Sequence, residues 1–305
     1  MQSSEEFFKA YKRIERALGV TDFSSELIHY TGLQKLVLML ESKQLWFGRL
    51  DEVNDLKEVD HYLQGVTGAV AELIPEVPRE FVEQLAAQIR SPLREQTYVS
   101  CWCEHIDPDG ELPMWNLYAR EGDGIGIVVD ASQFQPSNLE AKNLGFFLNV
   151  TRVEYAKLSE AANIARRMVR QLSTLGAFPI QERVGFVTLL LTKAVAVKHH
   201  SFASEKEVRF LSVAGIDAAM GAFTKTARTI PAAIQPRSVG ARTYLPVALA
   251  PYGASGFDLS VGRVLRKIVV GPGGDQDARV AAARRVLDAH GLTAVPVQKN
   301  GIPFR

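Results

Sequence analysis

Two kinds of hydrophobic pattern, one with the period of a strand and one with the period of a helix, follow each other irregularly along this chain of 305 residues. The strand-like segments of the N-terminal half are 27–31, 45–48, 96–103 and 124–130. Those of the C-terminal half are 144–155, 205–211, 243–250, 264–270 and 293–297. Because strands and helices do not alternate regularly, the pattern predicts an α+β fold, with a mixed, mainly antiparallel sheet flanked by helices.

Helical periodicity occupies the segments between these strands. It predicts helices at 5–18, 33–40, 113–119 and 277–290, the last after a glycine turn with an aspartate cap. Two longer helical stretches lie around 58–95 and 157–198, and the second ends in a strongly apolar helix at 180–197. We interpret them as helical insertions in a single domain spanning residues 1–305, a length that one large domain can have.

The stretch from Lys198 to Leu211 carries more ionisable chemistry on a strand pattern than any other part of the chain. Glu205, Glu207 and Arg209 alternate with other residues, so an extended chain would place all three on one face. The arginine offsets the repulsion between the carboxylates, and in a cleft it could keep one of them ionised. A solvated strand face with an ordinary ion pair fits the same pattern.

Other candidate positions have both a functional and a structural interpretation. His29 ends a strand before a turn into a helix, where side chains often project into a cleft. Trp115 and Tyr118 share a helix face and could stack on a planar ligand or belong to the core. The pair Asn54-Asp55 suits a turn or a helix cap.

Charge and composition exclude some general partners. The 35 basic residues nearly balance the 34 acidic ones, so a nucleic acid or an anionic membrane would need a local patch. The N-terminus lacks the apolar core of a secretory signal and no apolar run reaches the length of a membrane span, so we expect a cytoplasmic protein. Cys101 and Cys103 lack partners for a zinc site, and we expect buried free thiols.

Several short motifs together resemble a bacterial family. They are His29-Tyr-Thr31, Leu45-Trp-Phe-Gly48, Asn54-Asp55, Met114-Trp-Asn-Leu-Tyr118, and Lys198 with Glu205-Lys-Glu-Val-Arg209. In this order they resemble the signature of the domain of unknown function 2971 family, over nearly the whole chain. The family's Asn-Asp-Pro-Phe-Glu appears here as Asn54-Asp-Leu-Lys-Glu58, which weakens any role of that loop. This family's name carries no function.

His29-x-Thr31 before a leucine-rich helix, together with Glu205-x-Glu207, is also similar to ADP-ribosyltransferases, especially DarT-type toxins that modify DNA. This resemblance implies an ADP-ribosyltransferase-like fold and NAD as a substrate, with a nucleic acid or a protein as acceptor. A toxin or a phage-defence effector is the implied biological role.

The resemblance also implies roles for individual residues. His29 and Thr31 would hold the adenosine-side ribose, and Glu207 would bond the nicotinamide ribose. For Glu205, the outer carboxylate of the pair, we expect a role in orienting or deprotonating the acceptor. Because a cationic nicotinamide ring favours an aromatic face, we also expect aromatic residues to line the NAD site, namely Tyr30, Trp46, Phe47, Trp115 and Tyr118. Others would support it, namely Asn54, Asp55, Lys198 and Arg209. On this hypothesis His29 and Glu207 lie in one cleft, where a fixed carboxylate stabilises an oxocarbenium-like transition state.

Two alternatives stay open. One is a metal-dependent hydrolase or nuclease with the ligands His29, Asp55, Glu58, Glu205 and Glu207. The other is a non-catalytic interaction module. In that module His29 is a satisfied core histidine, and Glu205, Glu207 and Arg209 form a structural ion network.

Overall fold

The structure is a computed structural model of the chain. It describes residues 23–52, 58–73, 77–119, 124–134, 149–173, 187, 190–191, 193–213, 232–236, 241–252 and 257–303. The predicted helix at 5–18 and the pair Asn54-Asp55 lie outside these residues.

Strands and helices agree with the predicted segments in most places. The large sheet contains β1 (Glu26–Gly32), β2 (Gln44–Arg49), β3 (Thr97–Glu104), β4 (Gly124–Asp130), β5 (Asn149–Arg152), β8 (Glu207–Val213), β9 (Ala233–Pro236), β10 (Ala241–Ala248), β13 (Leu265–Val270) and β14 (Val297–Gln298). Two small sheets pair β6 (Glu154–Ala156) with β7 (Val197–His199), and β11 (Pro251–Tyr252) with β12 (Phe257–Asp258). The helices are α1 (Leu33–Ser42), α2 (Glu58–Leu73), α3 (Arg79–Glu95), α4 (Leu112–Tyr118), α5 (Leu158–Ser173), α6 (Val261–Val264) and α7 (Gln276–Ala289).

Strand order in the large sheet is β14-β13-β4-β1-β3-β2-β10-β9, with β8 between β3 and β5. The pair β13–β14 is parallel and the other pairs of this sheet are antiparallel. This confirms the α+β fold with a mixed, mainly antiparallel sheet. Strand β3 is shared: β8 pairs with it from Thr97 to Cys103, while β1 pairs near Cys103 and β2 near Val99.

Three predicted boundaries were wrong. The apolar helix does not continue to 197, because a 3-10 turn occupies Lys193–Ala196 and β7 begins at Val197. The strand predicted from 205 begins at Glu207, after a 3-10 turn at His200–Glu205. The last strand is Val297–Gln298, because residues 293–296 lie before it in a turn. The single domain over residues 1–305 stays a prediction.

The sheet separates the core into clusters on two faces. One face carries a cluster that contains Leu27, Trp102 and Val208 and is covered by α1, α6 and α7. The other face carries a cluster under α2, α3 and α5 and a smaller one, with Ile28 and Cys103, under α4. The burial of both faces explains why β3 and β4 are apolar almost throughout instead of alternating.

Candidate functional site

Four buried charged residues form an ionic cluster on the face covered by α4. They are Lys198, Glu205, Glu207 and Arg209. Lys198 Nζ lies 2.6 Å from Glu205 Oε2 and 3.3 Å from Glu207 Oε2. Arg209 Nε donates to Glu207 Oε1 at 2.7 Å, and its Nη1 donates to the carbonyl of Val195 at 2.8 Å. Each carboxylate of the cluster therefore faces at least one cation.

A left-handed residue brings the two glutamates together. Lys206 has φ 45° and ψ 45°, between the 3-10 turn that ends at Glu205 and the first residue of β8, Glu207. The turn, and not a continuous pleat, therefore directs Glu205 to Lys198. The sequence analysis placed Glu205, Glu207 and Arg209 together, and the structure does so, but by a different local geometry.

Neutral side chains form hydrogen bonds with the two glutamates of the cluster. The Tyr118 hydroxyl donates to Glu205 Oε1 at 2.9 Å, and the Tyr155 hydroxyl accepts from the Glu207 backbone N–H at 2.8 Å. The Cys101 thiol, on the neighbouring strand, hydrogen-bonds to Glu207. Tyr118 is 39% exposed, and it therefore connects the cluster to the surface.

The ion pairs of the cluster determine the protonation states of its side chains. Burial by itself would raise the pKa of Glu207, but the charges of Arg209 and Lys198 outweigh it and lower that pKa to about 2. Burial by itself would lower the pKa of Lys198, and the two carboxylates raise it above its usual range. Burial raises the pKa of the Cys101 thiol, and the Glu207 charge adds to that. At neutral pH Glu207 is therefore a weak base, and Lys198 is a poor nucleophile because it stays protonated.

His29 lies on the opposite face of the sheet from Glu207. Ile28 pairs with Cys103, and Cys103 pairs with Glu207, so these three side chains share one face. His29, the next residue along β1, projects the other way and packs at 5.2 Å against the ring of Trp102. The expectation that His29 and Glu207 share one cleft is therefore wrong. Ile28 and not His29 lies on the face of Glu207, because neighbouring residues of a strand point to opposite faces.

The His29 ring is held in one tautomer. Its Nδ1 lies 2.9 Å from the carbonyl of Cys101, so Nδ1 carries the proton and donates. Burial lowers the pKa of His29, more than the hydrogen bond raises it, which keeps the ring neutral. Nε2 is then an acceptor, and no described residue bonds to it. Thr31, two residues along β1, shares this face.

The aromatic residues assigned to an NAD site are dispersed. Phe47 and Trp115 are buried in the core, and Tyr30 packs edge-on against Trp115 with its hydroxyl accepting from the Glu111 N–H. Trp46 is half-buried on β2 and Tyr118 is exposed on α4. Among these aromatic residues, Tyr118 contacts the ionic cluster, through its hydrogen bond to Glu205. The proposed catalytic, binding and supporting roles of all these residues stay predictions.

Sequence reasoning missed Tyr155 and Cys101 as neighbours of Glu207. Tyr155 belongs to β6, which no periodic pattern separates from β5, so its approach to Glu207 had no sequence signal. Cys101 was predicted on a strand, but its approach to Glu207 depends on the pairing of β3 with β8, which the local pattern does not reveal. Among the described residues, no group of three or more His, Cys, Asp or Glu side chains could hold a metal ion.

Residues 114–210 match the model of a family described as a protein of unknown function, DUF2971. The match covers less than half of the chain, but it contains all four residues of the ionic cluster. It supports the resemblance to that family. No curated protein and no solved structure matches the chain. In the described part of the chain, no helix combines the length and apolar character needed to cross a membrane.

Proposed function

We propose that this protein acts as a non-catalytic interaction module, in which the ionic cluster holds the fold together. The observation that supports this is the mutual neutralisation of the cluster: two carboxylates and two cations contact one another and are all buried. A carboxylate that stabilises a developing cation must carry negative charge that other cations do not already neutralise. Glu207 already contacts Arg209 and Lys198, so its field at a further cation is largely cancelled.

The position of the cluster fits a structural role. Glu207 and Arg209 belong to β8, Lys198 to β7, and Glu205 to the turn between them. The ion pairs therefore connect the small β6–β7 sheet to the large sheet, at the junction of the two hydrophobic clusters on that face. Removing one partner of such a buried pair leaves a buried charge without compensation, which costs about 3–5 kcal/mol.

The variant Glu207→Gln tests this proposal. We expect it to lower the free energy of unfolding by about 3–5 kcal/mol, because Lys198 and Arg209 lose their shared anion. Glu83→Gln is the matched control, since Glu83 forms an exposed pair with Arg79 that should contribute little. Urea denaturation of both variants gives the comparison.

The same preparations are incubated with labelled NAD and cell extract. We expect wild type to release no nicotinamide and to label neither protein nor nucleic acid. NAD cleavage by wild type that Glu207→Gln abolishes, with its unfolding midpoint unchanged, would contradict the structural role.

A second candidate is NAD-dependent ADP-ribosyl transfer at the His29 face of the sheet, without Glu207 at the ribose, and the state of His29 supports it. A neutral imidazole with a fixed tautomer and an open Nε2 acceptor, beside Thr31, suits a ligand hydroxyl such as that of a ribose. In the reaction the bond from C1′ to nicotinamide breaks and nicotinamide leaves with the electron pair. A nucleophile of the acceptor bonds to C1′ and loses a proton.

This candidate predicts that His29→Phe, which keeps the ring's packing on Trp102 but removes both nitrogens, raises the KM for NAD. The readout is nicotinamide release at several NAD concentrations, with a thermal melt beside it. An unchanged KM in a folded variant would exclude the hydroxyl-binding role of His29.

A further inference from the structure

A corner between β2 and β10 combines two aromatic rings with an open floor. Trp46 and Tyr244 pack with ring centroids 4.7 Å apart and planes tilted by 32°. Gly48 pairs directly with Tyr244, and alternation puts Trp46 and Gly48 on the same face. A Cβ built on Gly48 would meet nothing within 4 Å. The Tyr244 ring thus leans toward Trp46 and leaves the space above Gly48 empty.

The indole N–H of Trp46 is fully covered, and no described residue accepts a hydrogen bond from it. A buried donor without a partner is unfavourable, and tryptophan N–H groups usually find one. Because the nitrogen is covered, a ligand could accept this hydrogen bond only after displacing the atoms that cover it. Trp46 itself is half-buried, so its ring is reachable from the surface.

A free cation lies beside these rings. Arg242 is two residues from Tyr244 on β10 and therefore projects from the same face. It is exposed, and among the described residues it forms no ion pair. A face with two aromatic rings and an unpaired arginine has the groups that bind a base by stacking and a phosphate by charge.

We propose that this corner, defined by Trp46, Gly48, Arg242 and Tyr244, binds a nucleotide unit. The base lies over Gly48 and stacks on the aromatic pair, and the phosphate pairs with Arg242. The nucleotide would be the ligand of the proposed interaction module, so this inference rests on the proposed function. The nearly balanced net charge agrees with a local site and not with a wide basic surface.

Tryptophan fluorescence of the full chain measures the binding. The protein has three tryptophans, and Trp102 and Trp115 are only 1% and 2% exposed, so quenching by a stacked base should come from Trp46. The probes are AMP, a ten-nucleotide deoxyadenosine single strand, and a duplex of equal length. We expect quenching by the single strand, by AMP or by both. Quenching by AMP alone assigns the site to free nucleotides, and quenching by the strand assigns it to unpaired nucleic acid.

The variant Gly48→Leu fills the floor of the corner, where a Cβ meets nothing within 4 Å, so we expect it to fold and to lose the site. We expect affinity to fall at least as much as on losing one stacked base, roughly 5- to 150-fold. Gly68→Leu is the matched control, because a Cβ on Gly68 in α2 also meets nothing within 4 Å. Tyr244→Leu gives the same test if Gly48→Leu folds poorly.

Arg242→Gln adds a readout that a structural role would not change. For the single strand, the slope of log affinity against log salt should decrease by about 0.7. The proposal is overturned if neither AMP nor the single strand quenches wild type, if the duplex binds as tightly as the single strand, or if folded Gly48→Leu binds normally. None of these outcomes changes the stability or NAD results for Glu207, so the two proposals fail separately.

Discussion

Lys206 shows how one residue's backbone sets the chemistry of its neighbours. Its left-handed conformation is rare for a residue with a side chain, and it turns Glu205 back toward Lys198. The Lys206 side chain is exposed and pairs with Glu111 on the surface. The strained backbone, more than this exposed pair, is what Lys206 contributes to the cluster.

Comparison of Lys206→Gly with Lys206→Ala tests the backbone effect. Both variants remove the pair with Glu111, so their difference isolates the conformational preference. We expect the glycine variant to be more stable by about 1–2 kcal/mol, because glycine adopts the left-handed region without a steric penalty. The free energies of unfolding come from urea titrations, and equal values would mean that the turn relaxes when the side chain changes.

At the scale of the element, α4 lies unusually close to the sheet beneath it. A Cβ on Gly124, at the start of β4, would be 2.1 Å from the carbonyl oxygen of Ala119. A Cβ on Gly126 would be 2.5 Å from Ile28 Cδ1 and 3.2 Å from the Trp115 ring. The two glycines therefore allow the helix and its tryptophan to pack on β4.

Gly124→Ala should destabilise the protein by at least the 1–3 kcal/mol that is typical of overpacking, since the obstructing atom belongs to the backbone. The control is Gly48→Ala, where the added methyl group has free space and the stability should change little. Thermal melts of the two variants measure the difference. Similar melting temperatures for both would contradict the close approach of α4.

Hydrophobic periodicity predicted most of the helices and strands. The errors arose where the backbone conformation of one residue, or the register between strands, decides the position of a side chain. The segment 124–130 was correctly predicted as a strand, because apolar residues follow both of its glycines. Glu205 was wrongly assigned to a strand, because alternation of residue types does not reveal a left-handed residue at Lys206. The positions of His29 and Glu207 on opposite faces depend on register across β1, β3 and β8, and register between distant segments leaves no trace in a local pattern.

For the whole molecule, stability should depend on pH in two separate windows. Burial lowers the pKa of His29 and of His105, and both ring nitrogens of His105 are buried with no hydrogen-bond partner among the residues that the structure describes. The folded state therefore disfavours their protonation. Glu207 has a pKa of about 2 in the fold, against the ordinary value of 4.5 for a free side chain.

The direction in which stability changes with pH depends on whether the folded or the unfolded state binds more protons. Between the ordinary histidine pKa of 6.5 and the lower folded values, the unfolded chain binds more protons, so stability decreases as pH falls below about 6.5. The contribution of Glu207 is fully present above about pH 4.5 and is lost as pH falls toward 2. Urea unfolding at pH 7.5, 5.5 and 3 measures both. His105→Phe should reduce the first loss and Glu207→Gln the second, and equal losses in wild type and variants would exclude these groups as the cause.

The pairing of β2 with β10 has a consequence for the protein during its synthesis. Leu45 and Phe47 are buried against Leu245 and Val247, which lie about 200 residues later in the chain. At the usual rate of translation, a ribosome needs roughly 10–40 s to make that interval. Throughout that time β2 can pair with β3 on one side only, and its other edge stays unpaired. The nascent chain therefore exposes an unpaired strand edge, to which chaperones or other nascent chains can bind, until the last third of the protein has emerged.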